Sequence, residues 1–276
     1  MTLLNGVKPE SVTLEPYPHL VLENALESGL RRELIDGFPS LDVFTGGRDM
    51  GENTKIYYPA VKACDDPRVA EVWKSFLQEH LTADFYRQIA QVFGPAIRQE
   101  LPDLEATFSK PLESFTVGID GEDSFEQYDV LINALIGIHT PVSAGLKLER
   151  RPHVKNVDKF LEGFLYLRPD NDTAPGGDYE LFSAKPGGTL RFGKWAQTRR
   201  DRLILEKTIP YGKNTLVMVI NNPRAIQALT ARGPGQHPLM YCNFTVRTPY
   251  KLFDLDYTPW GLTHRYLRGY YDRLIT

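Results

Sequence analysis

The feature that most constrains the fold is a series of short β-type runs that begins near residue 107 and follows a helical first third. Glycine, proline and asparagine separate most of these runs, which is typical of strands joined by tight turns. Short strands that follow a group of helices favour an α+β, mainly β fold: a β-sandwich or jelly roll with the helices packed on its outer sheet. The predicted strands are 115–119, 130–138, 160–168, 179–182, 203–209, 215–220 and 240–246.

Upstream of these strands the apolar residues recur at intervals of three and four, as they do on one face of a helix. Asp66 and Pro67 have the residue types of an N-cap and a first helical position, so they predict a helix start. The helical pattern then runs to about residue 101, with a break near Thr82 and a third short piece after Pro95. The other expected pieces are a strand at 19–22, a helix at 26–38 and a loop at 40–62.

A chain of 276 residues without an internal repeat or a linker predicts one domain. We expect residues 1–106 to be mostly helical support and residues 107–250 to form the β core. The tail, 251–276, is expected to be helical from Pro259 onward, and its tyrosines suggest a contact for a homodimer.

Composition limits the function. The net charge of −3 and pI of about 6.1 argue against a general nucleic-acid binder, which usually has a basic face. No apolar run is long enough to span a membrane, and the N-terminus has no signal-peptide pattern. Cys64 and Cys242 lack metal-ligand spacing and are expected to be reduced, so we expect a cytoplasmic protein whose partner is a small molecule.

Several segments, taken in order, match one known family. They are PYPHLVLENAL at 16–26, HTPVS at 139–143, RPHVKNVDK at 151–159, FLYLRPDNDTAPGGDYELF at 164–182, PYGKNTLVMVINNPRAIQAL at 210–229 and HPLMYCNF at 237–244. The set resembles the prolyl-hydroxylase-like branch of the iron(II)/2-oxoglutarate oxygenases. The resemblance implies a cupin-like double-stranded β-helix.

The resemblance also implies a metal site, which this sequence alters. In the family a His-x-Asp pair and a later histidine hold iron, and a basic residue pairs with 2-oxoglutarate. Here His153 stands at the first ligand position, Lys155 at the aspartate and Gln227 at the distal histidine. The basic residue falls on Leu239 or Met240. The resemblance therefore predicts a degenerate metal site with vestigial positions.

The chemistry of these residues agrees. His153 and Lys155 are two apart, so in a strand both side chains face the same way. A protonated lysine repels a divalent cation, and Gln227 offers only a neutral amide oxygen. We therefore expect a metal-independent enzyme that acts on a small molecule in a biosynthetic pathway and has no cofactor. Lys155 and His153 would supply acid–base chemistry or bind an anion.

Two alternatives stay open. One is an Fe(II)/2-oxoglutarate-dependent hydroxylase with an atypical site. The other is a non-catalytic binding or scaffold protein, in which Lys155 and Gln227 form a hydrogen-bonded plug. Beside these positions, the residues predicted to contact the substrate are Tyr128, Arg168, His139 and His237.

Overall fold

The computed structural model describes residues 2–148 and 150–259. Six α-helices occur in this part of the chain, all before the main strands, as the apolar spacing predicts. No helix among these residues has the length and apolar character needed to cross a bilayer. The helices are α1 (Ser28–Asp36), α2 (Leu41–Thr45), α3 (Ala60–Ala63), α4 (Glu71–Glu79), α5 (Ala83–Glu100) and α6 (Leu104–Phe108).

Within the described residues, ten strands form two sheets. The larger sheet has the order β1-β8-β5-β10-β4-β2, with β3 parallel to β4, and the smaller has the order β7-β6-β9. The strands are β1 (His19–Glu23), β2 (Lys55–Pro59), β3 (Val117–Ile119), β4 (Val130–His139), β5 (Lys159–Tyr166), β6 (Tyr179–Ala184), β7 (Leu203–Ile209), β8 (Thr215–Ile220), β9 (Ile226–Leu229) and β10 (Leu239–Arg247).

The chain passes back and forth between the sheets. From β4 it crosses to the smaller sheet at His153, whose backbone pairs with Gln227 of β9, and returns to β5. It then forms β6 and β7, returns to β8, crosses to β9 and ends in β10. This alternation between two antiparallel sheets is a jelly-roll double-stranded β-helix, so the predicted fold class is confirmed.

The larger sheet is buried on both faces. One face packs against the helices, and its β10 contributes Cys242 and Phe244 to that core. The other face packs against the smaller sheet, where Phe164 of β5 meets Tyr179 of β6 with ring centroids 5.6 Å apart. The predicted position of the helices on the outer sheet is therefore confirmed. The candidate site lies on the opposite face of the larger sheet, toward the smaller sheet.

Several local predictions were wrong. The predicted loop at 40–62 contains α2, β2 and the start of α3, and β9 was missed. The helix expected from Asp66 begins at Glu71, because the Asp66 carboxylate instead accepts hydrogen bonds from the Arg68 backbone and guanidinium. No break occurs near Pro95. Helix α5 continues through this proline, and it has buried residues both before and after it in the sequence.

The break near Thr82 is confirmed: its side chain accepts a hydrogen bond from the Phe85 N–H and caps α5. In the tail, residues 251–258 are not helical, and Tyr257 forms a bridge with Phe192. The helix predicted beyond Pro259, with its suggested dimer contact, lies outside the described residues.

Candidate functional site

A small cavity lies between the two sheets, and aromatic rings fill most of the space around it. A water-sized sphere can occupy only about 20 Å³ there. This is room for about one water molecule, since one needs roughly 10–15 Å³. Its lining includes Lys55, His139, His153, Lys155, Phe164, Tyr166, Tyr179, Gln227 and Tyr241.

A cleft open to solvent lies beside this inner cavity and shares Lys55 and Lys155 with it. Its volume is about 410 Å³, which lies within the range of small-molecule sites. Lys155 is the one residue of the predicted catalytic set that lines this cleft; His153 and Gln227 line the inner cavity. The rest of the cleft lining is Tyr57, Leu135, Arg150, Val154, Asn156, Lys159, Glu162, Trp195, Gln197 and Asn243.

Lys155 is held by a carboxylate that the sequence analysis did not single out. Its Nζ lies 2.8 Å from Oε2 of Glu162 and 5.2 Å from the centroid of the Phe164 ring. Both side chains of the ion pair are largely buried, with 13% and 4% exposed. The lysine is therefore a cation with a fixed partner at this position.

Glu162 lies on β5 and is the centre of a small polar network. Its carboxylate accepts hydrogen bonds from Gln227 Nε2 at 3.3 Å and from Asn243 Nδ2 at 3.4 Å. Burial opposes its ionisation, but the positive charges of Lys155 and Lys159 hold the pKa of the Glu162 carboxyl below its usual value. The carboxylate is thus ionised and fully engaged.

His153 is buried and neutral. Burial and the nearby charge of Lys155 hold the pKa of its imidazole well below the ordinary value. Its Nδ1 lies 3.0 Å from the Arg151 carbonyl oxygen, which can only accept, so Nδ1 carries the proton. The Nε2 atom therefore presents a lone pair.

His139, one of the predicted substrate contacts, lies at the end of β4 and lines the same cavity. Its Nδ1 lies 3.4 Å from Oδ1 of Asn53, and burial lowers its pKa to about 3. Four buried polar atoms around the cavity have no hydrogen-bond partner among the described residues: His139 Nε2, His153 Nε2, Tyr179 OH and Gln227 Oε1.

The other predicted substrate contacts lie elsewhere. Tyr128 packs against Gly118 of β3, and His237 sits half-buried in the loop before β10. Arg168 donates hydrogen bonds to the carbonyl oxygens of Asp172 at 3.0 Å and Ala174 at 2.6 Å. These contacts give Arg168 a structural role in the loop that follows β5.

Leu239 and Met240 occupy the positions where the resemblance places a basic residue. Leu239 belongs to the apolar cluster between the sheets. The backbone N–H of Met240 donates to the Tyr211 hydroxyl at 2.8 Å. Neither position therefore carries a basic side chain.

The donor set does not fit the iron centre that the resemblance implies. Two histidines and a carboxylate suit Fe(II). Here the carboxylate position holds the ammonium group of Lys155, and Glu162 is engaged by Lys155, Gln227 and Asn243. Within ranges 2–148 and 150–259, no group of three or more His, Cys, Asp or Glu residues is arranged to hold a metal ion.

The signal that would have found Glu162 is present in the sequence. Glu162, Phe164 and Tyr166 share one face of β5, because they alternate along a strand. A carboxylate on the inward face of an apolar strand predicts a buried counter-charge. The cleft cation Lys55 carries no such signal, since it lies on β2, which is distant from Lys155 in sequence.

No family model matches this sequence, and no curated protein matches it. Solved structures with a similar fold include a prolyl-4-hydroxylase from Pseudomonas putida, 14% identical with a TM-score of 0.46, where the match covers 87% of this chain and 98% of that one. A prolyl 4-hydroxylase structure from Phytophthora capsici is 13% identical with a TM-score of 0.48, covering 99% and 74%. EctD from S. alaskensis, solved with 2-oxoglutarate and 5-hydroxyectoine, is 10% identical with a TM-score of 0.46, covering 93% and 84%.

These proteins are what the chain is similar to, at TM-scores below 0.5, and the jelly-roll assignment does not depend on them. The strand topology of the chain supports the fold independently. The likeness says nothing about the ligand or the reaction of this protein.

Proposed function

We propose that this protein binds a small anionic molecule in the cleft and does so without iron. Among the described residues, four cationic side chains line the cleft, those of Lys55, Arg150, Lys155 and Lys159, and one carboxylate does, that of Glu162. Crowded cations repel one another where water is partly excluded. An anion bound among these side chains would reduce that repulsion.

The observation that carries this proposal is the ion pair between Lys155 and Glu162 at 2.8 Å. A buried carboxylate needs a positive partner, and here the ammonium group of Lys155 supplies it. The pair also fixes the position of Lys155 Nζ between the cleft and the inner cavity.

Catalysis by His153 is not part of this proposal. His153 lines the inner cavity, whose 20 Å³ admits about one water molecule. A ligand in the cleft meets Lys155 and Lys159 rather than the imidazole. The acid–base role of His153 therefore stays a prediction.

Anion binding is tested by isothermal titration calorimetry with inorganic phosphate and with succinate at low salt. We expect binding that weakens as salt is added, because surface and cleft charges are screened. Lys159→Met should weaken binding about tenfold or more, whereas Lys185→Met, an exposed lysine outside the cleft, should bind like the wild type. Equal binding by wild type and Lys159→Met, or no binding of either anion, would contradict the proposal.

The metal-free part is tested with manganese(II) as a probe, followed by electron paramagnetic resonance. We expect the wild type to bind no stoichiometric Mn(II), and the double variant Lys155→Asp/Gln227→His to bind more tightly because it restores a carboxylate and an imidazole. One tightly bound Mn(II) per wild-type chain would overturn it and favour the atypical oxygenase. Circular dichroism of the double variant checks that the fold is retained.

A further inference from the structure

Trp195 is an exposed indole at the rim of the cleft. Its side chain is 48% exposed, whereas Trp73 in the helical core is fully buried. Tyr57, on β2, lines the same cleft and is 39% exposed. Large aromatic side chains that stay exposed beside a concave site mark a place where a ligand completes their burial.

The backbone at Trp195 is in an unfavourable conformation. Trp195 has φ 57° and ψ 34°, and Ala196 has φ 54°, so two consecutive non-glycine residues are left-handed. Such residues are strained and persist only where the surrounding structure imposes them, and they cluster at ligand sites.

The surrounding contacts impose this conformation. The Val154 N–H donates to the Ala196 carbonyl at 3.1 Å, and the Gly193 N–H donates to the Gln197 carbonyl at 2.7 Å. The guanidinium of Arg150 donates to the Trp195 carbonyl. These hydrogen bonds tie the strained segment to Arg150 and Val154, and they hold the indole at the cleft rim.

The indole is also close to positive charge. Lys194 Nζ lies 4.1 Å from the centroid of the Trp195 ring, and Lys55 Nζ lies 5.0 Å from that of Tyr57. Arg150, Lys155 and Lys159 line the same cleft. Aromatic surface and cationic groups thus occur together within one site of about 410 Å³.

We propose that the ligand of this cleft is an aromatic phosphate or carboxylate. Its planar ring stacks on Trp195, and its anionic group meets Lys155 and Lys159. The ring lies on the indole face opposite Lys194. This proposal rests on the anion binding proposed above and adds the ring.

The test compares phenyl phosphate, cyclohexyl phosphate and inorganic phosphate by calorimetry and by tryptophan fluorescence. The first two carry the same charge and differ in the aromatic ring. We expect phenyl phosphate to bind about three- to tenfold more tightly than cyclohexyl phosphate, as aromatic stacking contributes. Phenyl phosphate should also change the Trp195 emission.

In Trp195→Leu the preference for phenyl phosphate should disappear, while inorganic phosphate binds as in the wild type. Trp195→Phe should restore part of the preference, and Tyr250→Leu, an exposed aromatic outside the cleft, should leave it unchanged. Equal affinity for the two organic phosphates in the wild type, or an unchanged preference in Trp195→Leu, overturns the aryl proposal and leaves anion binding standing. If none of the three phosphates binds, the anion-binding proposal fails with it.

Discussion

At the scale of single residues, the Lys155–Glu162 pair decides the character of the site. The two groups lie 2.8 Å apart and are largely withdrawn from water. A buried ion pair contributes little net stability, but removing one partner leaves an uncompensated charge. The pair is therefore more a constraint on what can occupy the position than a source of stability.

The consequence is an asymmetric mutant cycle. Lys155→Met should lower the free energy of unfolding by about 3–5 kcal/mol, because Glu162 is left charged and unpaired in the interior. The double variant Lys155→Met/Glu162→Gln should recover most of that loss, since the amide stays neutral beside Gln227 and Asn243. Urea denaturation of both variants measures the effect. A single variant as stable as the wild type would show that Glu162 does not depend on Lys155.

At the scale of elements, the Gly176-Gly177 turn before β6 packs against the chain that follows β9. The Gly177 N–H donates a hydrogen bond to the Thr230 carbonyl oxygen at 3.3 Å. Both glycines have positive φ, 78° and 85°. A Cβ on Gly176 would lie 1.9 Å from the backbone oxygen of Ala231. The position therefore needs glycine for two reasons, its conformation and the close approach of another backbone.

Two glycine substitutions separate these reasons. Gly176→Ala should destabilise the protein by roughly 2–5 kcal/mol, because left-handed strain adds to a backbone clash. Gly187→Ala has similar strain, with φ 70°, but nothing lies within 4 Å of its Cβ, so about 1–2 kcal/mol is expected. Thermal unfolding of both variants gives the comparison, and equal losses would remove the clash from the explanation.

At the scale of the whole molecule, buried neutral histidines make stability depend on pH. Burial lowers the pKa of His80 to about 4 and of His139 to about 3, and it lowers the pKa of His153 well below its ordinary value. In the unfolded chain these groups titrate near 6.5. Below that pH the unfolded state binds more protons than the folded state, so stability falls as pH falls.

We therefore expect the free energy of unfolding to drop between pH 7 and pH 5 by about 2 kcal/mol for each of the three histidines. The Glu162 carboxyl, whose folded pKa is lowered, loses its contribution only as pH falls below its ordinary value of 4.5. Urea denaturation at the two pH values measures the drop, to which His19 adds because burial also lowers its pKa, and His139→Gln should reduce it by about 2 kcal/mol. Equal stability at both pH values would contradict a neutral buried cluster.

The pattern of the chain predicts the regular elements well where the signal is local. Strands β7 and β8 have the bounds that the apolar runs indicate, and Thr82 separates α4 from α5. The errors occur where a side chain bonds a nearby partner, as Asp66 does with Arg68, or where a strand is too short to show alternation, as the four-residue β9 is. Local propensity is a weak guide where tertiary contacts outweigh it.

By itself the sequence predicted a jelly-roll fold and singled out Lys155 and Gln227. Only the tertiary structure decided the strand order and what those two residues contact. Glu162 becomes the partner of Lys155, and Lys55 joins the cleft because β2 pairs with β4, which is distant from it in sequence. Electrostatics depends on distance and burial in space, and neither is written in the spacing of residues along the chain.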